Sequence, residues 1–173
     1  MAPAWRTIYC AAAGISGCVM SLIPDEKYGE IIEVLPILCV DIVVQNAGGE
    51  FLLIKRANEP MKGQWWPIGG RVLKGETLEQ AVIRKIKQET ALEVNAIRPI
   101  GYFETVADRS PLGFPFQYHA VSVVFTAVIG GQQQIRLDDQ STEWKFAREL
   151  PDRFNYKPFM EMGETPTTMD HGD

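Results

Sequence analysis

The sequence predicts an α/β fold in which a mixed β-sheet is sandwiched between helices, an α/β/α sandwich. Three observations predict it. Apolar, β-branched runs at Ile37–Gln45, Phe51–Arg56, Val94–Thr105 and Phe116–Ile129 read as strands. One amphipathic helix, starting near Thr77 and ending near Ala91, falls between the second and third of them. A short helix is expected before the first strand and a short helix or turn late in the chain. The 173 residues, 46% hydrophobic, are enough for one domain with an ample core.

Residues 1–19 differ in character from the rest of the chain. Arg6 precedes a run of apolar and small residues from Ile8 to Val19, and Ile15-Ser16-Gly17-Cys18 has the form of a bacterial lipobox. The run is too short and too rich in Gly and Ala for a membrane span. An export signal therefore competes with a start at Met20 that leaves 1–19 as an extension outside the fold. The expected division is an extension over 1–19, one domain over 20–161 and a disordered tail over 162–173. A cytoplasmic protein without membrane attachment is the expectation.

From Asp25 to Leu35 a helix would place Tyr28, Ile31, Ile32 and Leu35 on one face. Ile37–Gln45 is a nearly continuous apolar run, hence a central strand, interrupted by Asp41. A lone Asp there is either a satisfied core polar group or a ligand contact. Asn46-Ala47-Gly48-Gly49 turns the chain into Phe51–Arg56, which delivers Lys55 and Arg56 to its end. Residues 57–68 form a loop, whose Trp65-Trp66 pair serves either packing or stacking on a base or sugar. After the central helix, Val94–Thr105 returns to the sheet, and Asp108–Pro115 is a loop and a candidate lid. Phe116–Ile129 is a strand, Gln132–Leu137 an edge strand and Thr142–Phe146 another short one. Ala147–Phe154 contains Pro151, so it is a short helix or a turn.

The net charge of −5 offers no basic face of the kind general nucleic-acid binding needs. Phosphate binding remains open, because its few cations are local. Cys10, Cys18 and Cys39 have neither the number nor the spacing of a disulfide framework or a zinc site. Cys39, inside an apolar run, reads as a buried thiol.

The stretch Gly69–Leu92 organises the chain. Gly69-Gly70 reads as a tight turn, a short basic loop comes next, and Thr77 with Gln80 forms a capping box. Leu78, Val82 and Ile86 make one apolar stripe, and Glu89 falls on it. A carboxylate in that place is costly unless paired. Either it sits at the rim, reaching water or an Arg, or it converges with Glu76 on a divalent cation opposite the glycines. Magnesium takes such oxygens and is usually shared with substrate phosphates. Arg71 and Lys74 would suit those phosphates.

Gly70, five residues, Glu76, seven residues, Arg84, then Ile86, Glu89 and Leu92 resembles the Nudix box of the Nudix hydrolases, G-x5-E-x7-R-E-U-x-E-E-x-G-U with U apolar. Lys85, Gln88 and Ala91 stand where that box has Glu, Glu and Gly. Asp41-Ile42-Val43-Val44, Gly49 to Leu53, Lys55-Arg56, Asn58, Pro60, Gly63, Trp65 and Gly69 to Val72 are similar to the GDP-mannose mannosyl hydrolase branch. That branch also lacks the Glu after the box Arg and the first Glu of the Glu-Glu pair. The likeness runs from about Met20 to about Phe154.

The resemblance implies a Nudix fold, a homodimer and magnesium, with manganese as an alternative, acting on a nucleoside diphosphate sugar such as GDP-mannose or GDP-glucose. It implies metal ligands at Glu89, a Gly69 or Gly70 carbonyl, and Gln140 in a late loop. Arg56 and Arg71, with Lys55, would bind phosphate, and Asp41 the sugar. Glu76 and Arg84 would orient this shell. The branch cleaves the bond between sugar C1 and oxygen with inversion, using a His directly after the metal-binding Gln. This chain has Ser141 there, Thr105 where the branch has another His, and Ala120 where it has a Tyr. A Ser hydroxyl has no useful basicity at neutral pH. Its imidazoles are His119 and His171. Three outcomes stay open: a substitute base, His119 or Glu143; attack at phosphorus with a loop carboxylate; or binding without turnover.

Overall fold

A computed structural model describes residues 23–59, 61–131 and 133–159 of the chain. The expected extension over 1–19, the tail over 162–173 and His171 lie outside them. Helix α1 (Asp25–Val34) follows Pro24 and carries Asp25 and Glu26 in its first turn, where they complement the positive end of the helix. It buries Tyr28, Gly29 and Ile32. Leu35 does not extend that face: it is extended and 60% exposed. Pro36 follows it, and a residue before proline is pushed out of the helical region.

Strand β1 (Ile37–Gln45) is central. The return strand β2 (Phe51–Arg56) meets it at the hairpin, where Gln45 faces Phe51. β2 then leaves β1 to pair with β3 (Trp65–Trp66) and with β7 (Ser141–Ala147). β4 (Ile68–Arg71) takes the place beside β1, antiparallel, with Val40 opposite Gly70 and Asp41 opposite Gly69. The expected glycine turn is therefore a strand, because both residues pair in the ladder. On its other side β1 runs parallel to β6 (Tyr118–Ile129), from Ile37 opposite Ala120 to Gln45 opposite Val128. β5 (Val94–Ala107) pairs antiparallel with β6 and carries β8 (Lys157–Pro158) on its outer edge. Among the described residues these strands form one mixed sheet of eight.

Alternation along β1 assigns the two layers. Val40, Ile42 and Val44 point toward helix α2 (Leu78–Thr90) and pack with Ala81, Val82, Ile86 and Phe125. Cys39 points the other way, into a cluster with Tyr28 and Ile32 of α1. Val43, on the same side, packs with Trp66, Val124 and Phe154. Asp41 sits on that second face between the two clusters. The sheet thus has α2 on one face, and α1 with the segment after β7 on the other.

Several expectations are corrected. Of the short helix or turn expected over Ala147–Phe154, the turn is what forms once β7 ends, with Phe154 anchored in the core beside Trp66. Residues 133–138 form no strand. Instead the N–H groups of Arg136 and Asp138 bond the carbonyls of Thr90 and Glu89, satisfying the end of α2 rather than a sheet edge. The loop 57–68 contributes β3 and the first residue of β4. The loop after β5 holds a short 3-10 turn at Pro111–Gly113, and Phe114 and Phe116 stack and pack against the α1 cluster. Among the described residues no helix is long and apolar enough to cross a membrane.

Candidate active site

Helix α2 starts as its sequence dictates. The Thr77 hydroxyl accepts the Gln80 N–H at 3.2 Å, and the Gln80 side chain accepts the Thr77 N–H at 2.8 Å. Both bonds satisfy donors that the first turn would leave bare. The helix ends at Ala91 in the left-handed region, φ 58°.

Two carboxylate–cation pairs involve this helix, one within it and one joining it to the loop before it. Glu76 receives the Arg84 guanidinium at 2.6 and 2.9 Å and the Leu73 N–H at 2.6 Å. Arg84 also donates to the Arg71 carbonyl at 3.0 Å. One guanidinium therefore ties the helix, the loop before it and the end of β4 together. The second pair is Lys85 and Glu89, one turn apart, with side chains 7% and 4% exposed. Burial raises the Glu89 carboxyl above the ordinary carboxylate range, and the Lys85 ammonium pulls it back. Glu89 is buried rather than at the rim, its ion pair is with Lys85, and the Arg56 charge also lowers its pKa.

A cleft of about 750 Å³ opens where α1, β2, β4 and α2 meet. It brings together Asp41, Arg56, Gly69, Gly70 and Arg71, together with Arg84, Lys85, Glu89 and Gln140. The Arg71 guanidinium lies over the Tyr28 ring of α1, 4.1 Å from its centroid, and this cation–π contact aims it. Tyr28 was not legible as a site residue; nothing local marks a core Tyr as a platform for a residue 43 positions on. Asp41 is buried, and burial raises its pKa against hydrogen bonds from the Ser122 hydroxyl and the Trp66 indole and the pull of Arg56. It is thus both a satisfied core group and part of the cleft wall. Gln140 is turned toward its neighbour, its amide donating to Asp138 at 2.9 Å, while its backbone carbonyl accepts the Ala57 N–H.

Other expected site residues lie elsewhere. Lys55 bonds Glu143 at 2.8 Å on the far side of β2, over the Trp65 ring, so neither Lys55 nor Glu143 lines the cleft. Trp65 is covered by Lys145, and Trp66 is core, so neither offers an open face. Lys74 is exposed and outside the cleft. Tyr118 and Ala120 line the cleft, and alternation turns His119 to the opposite face of β6. Ser141 does line it, buried, its hydroxyl without a hydrogen-bond partner among the described residues.

The donor set does not fit a resident divalent ion. Glu89 is neutralised by an ammonium, Glu76 by a guanidinium, and the Gln140 amide is held by Asp138. Among the described residues no three His, Cys, Asp or Glu side chains form a cluster that could hold a metal. What the cleft does bring together is three cations from three elements, Arg56, Arg71 and Lys85, among carboxylates that include Asp41, Glu59, Glu89 and Asp139.

Comparison with known proteins gives a consistent result. The NUDIX domain profile matches residues 35–166. The low-salt glycan biosynthesis protein Agl8 of Haloferax volcanii is 32% identical over 123 residues, 71% of this chain and 78% of that protein. The ADP-ribose pyrophosphatase of Methanocaldococcus jannaschii is 38% identical over 117 residues, 67% of this chain and 65% of that protein. Among solved structures, a bifunctional NMN adenylyltransferase/ADP ribose pyrophosphatase from Francisella tularensis, complexed with AMP and a manganese ion, aligns at 26% identity and a TM-score of 0.52. That alignment covers 65% of this chain and 34% of the other. This chain spans less than two thirds of the length of two of these three proteins. With the profile matching from residue 35 onward, through the mixed sheet and its capped helix, the chain belongs to the Nudix family.

Proposed function

We propose that the chain is a Nudix pyrophosphohydrolase acting on a nucleoside diphosphate linked to a sugar, with water attacking phosphorus. The observation that carries this reading is the make-up of the cleft: Arg56, Arg71 and Lys85 share it with the carboxylates Glu59, Glu89 and Asp139, and no imidazole of the described residues lines it. Guanidinium forks match diphosphate oxygens. Inverting attack at a sugar carbon needs a base opposite the leaving diphosphate. The substitutes considered for that base, His119 and Glu143, face away from the cleft, which favours phosphorus over carbon. The similarity to an ADP-ribose pyrophosphatase supports the same reaction, and the similarity to a glycan biosynthesis protein supports a sugar on the diphosphate.

In this reading Arg56 and Arg71 hold the diphosphate, and Arg84 fixes the backbone that carries Arg71. Asp139, on the loop after α2 and β6, takes a proton from water as its oxygen bonds to phosphorus. The bridging P–O bond breaks, and a nucleoside monophosphate and a sugar phosphate leave. Magnesium or manganese, if carried in on the diphosphate, would supply charge neutralisation there. A homodimer and a cytoplasmic setting belong to the same reading, and sedimentation equilibrium tests the first.

The test is product analysis with ADP-ribose, GDP-mannose and GDP-glucose in ¹⁸O-labelled water containing magnesium. The expected result is label in a phosphate of one product. Label in free sugar would mean attack at carbon. No product from this panel would leave a binding module.

A further inference from the structure

We propose that Lys85 is the resident cation of this cleft: its ammonium occupies the place beside Glu89 and Gly70 that a divalent ion would take, so the free protein binds such ions weakly and holds a diphosphate without one. The inference rests on the reading of the cleft as a diphosphate site. Its geometric basis is independent of that reading.

Lys85 and Glu89 stand one turn apart on the inner side of α2 and form an ion pair that is almost closed to water. The lysine stem crosses to β4. A Cβ placed on Gly70 would lie 2.7 Å from Lys85 Cε and 3.0 Å from Nζ, so the gap between helix and strand is filled by this side chain. Gly70, with φ +155°, is what leaves room for it. The ammonium thus lies between the carboxylate and the glycine backbone, the two groups that the resemblance implies as metal ligands. The resembling box has a carboxylate where this chain has Lys85, so one buried position has changed sign. A buried carboxylate requires a compensating charge, and here the chain supplies its own. Lysine is suited to exchange partners: its ammonium is a compact charge with three donors on a flexible stem. When a diphosphate enters beside Arg56 and Arg71, Lys85 is the third cation to meet it.

The experiment measures manganese binding to the full chain by the loss of the free-ion EPR signal, for the wild type, Lys85→Gln and Lys85→Arg. ADP binding is measured by calorimetry in EDTA and in manganese. Without nucleotide, Lys85→Gln is expected to bind manganese about tenfold or more tightly than the wild type, the range by which neighbours of a ligand alter metal affinity. Lys85→Arg is expected to stay with the wild type. In EDTA the wild type is expected to bind ADP, and Lys85→Gln to bind it about tenfold or more weakly, as loss of a charged hydrogen bond implies. Equal manganese affinity in the wild type and Lys85→Gln, or ADP binding by the wild type only with metal, would overturn the proposal. Should Lys85→Gln fail to fold, tight manganese binding by the free wild type overturns it on its own. If ADP binds in neither condition, the diphosphate reading fails, and the manganese comparison alone decides the role of Lys85.

Discussion

The two carboxylate–cation pairs of helix α2 have similar charge and burial but different connections. Arg84 makes two bonds to Glu76 and a third to the Arg71 carbonyl, and Glu76 also holds the Leu73 N–H. That pair is bonded within itself and to two separate pieces of backbone. The Lys85–Glu89 pair touches the cleft, with the Arg56 charge acting on the same carboxylate. A planar fork joined at several points acts as a brace, whereas a point charge facing a cavity is free to change partner. Two buried ion pairs sharing one helix therefore need not share a role: one braces the helix to the loop before it, and the additional backbone bonds are what separate them.

The comparison is broken most directly by paired substitutions. Arg84→Met is expected to destabilise the fold by about 3–5 kcal/mol, the usual cost of stranding a buried charge. The double variant Arg84→Met with Glu76→Gln should recover little, because the bonds to Leu73 and Arg71 remain lost or weakened. Lys85→Met with Glu89→Gln should lie within about 1 kcal/mol of the wild type or above it, since a buried pair replaced by neutral groups is often neutral or stabilising. Urea unfolding of all three variants checks this, and equal losses for the two doubles would erase the distinction.

The next effect concerns two adjacent cations at the end of β2. Arg56→Ala is expected to raise KM about 10- to 100-fold, as loss of a charge-assisted contact does. Lys55→Ala should leave KM unchanged and cost under about 1 kcal/mol, because its partner Glu143 is an exposed one. Steady-state kinetics on whichever substrate is turned over decides between them.

A third buried carboxylate sharpens the contrast. Burial raises the pKa of Asp41, against the Ser122 hydroxyl, the Arg56 charge and the Trp66 indole. A raised pKa means that the folded state keeps the proton longer. The contribution to stability is full below the ordinary value of 3.8 and is lost as pH rises through the folded pKa. Asp41→Asn should remove that downward slope above pH 3.8, so the two stability curves diverge in the variant's favour as pH rises. Thermal unfolding across the acid range measures it; parallel curves would place the titration elsewhere. The smallest effect is expected at the helix end. Ala91 holds a left-handed φ of 58°, and Ala91→Gly should stabilise the fold by about 1 kcal/mol by removing the clash of its Cβ. A rise in the urea midpoint would show it.

Much of the fold was legible because it is local. The capping box, the Leu78–Val82–Ile86 stripe and the apolar run of β1 are periodic signals that need no distant partner. The edge strand expected after Gly131 fails for the converse reason. Residues 133–138 have strand-like composition, yet the N–H groups of Arg136 and Asp138 go to the end of α2. The glycines at 69 and 70 read as a turn because local propensity cannot show that β2 swings away and leaves β1 open for a second partner.

By itself the sequence determined the family, the capped helix, and the set of charged residues from which a site could be built, since spacing along one helix is a local property. Tertiary structure alone decided which of those charges meet. It stacked Arg71 on Tyr28, turned His119 and Lys55 away from the cleft, and drew Gln140 to Asp138. The i,i+4 spacing of Lys85 and Glu89 was visible in the chain. Whether that face met water or the strand carrying Gly70 depended on a helix docking across a sheet, and it is that burial which makes the lysine the charge partner of the carboxylate.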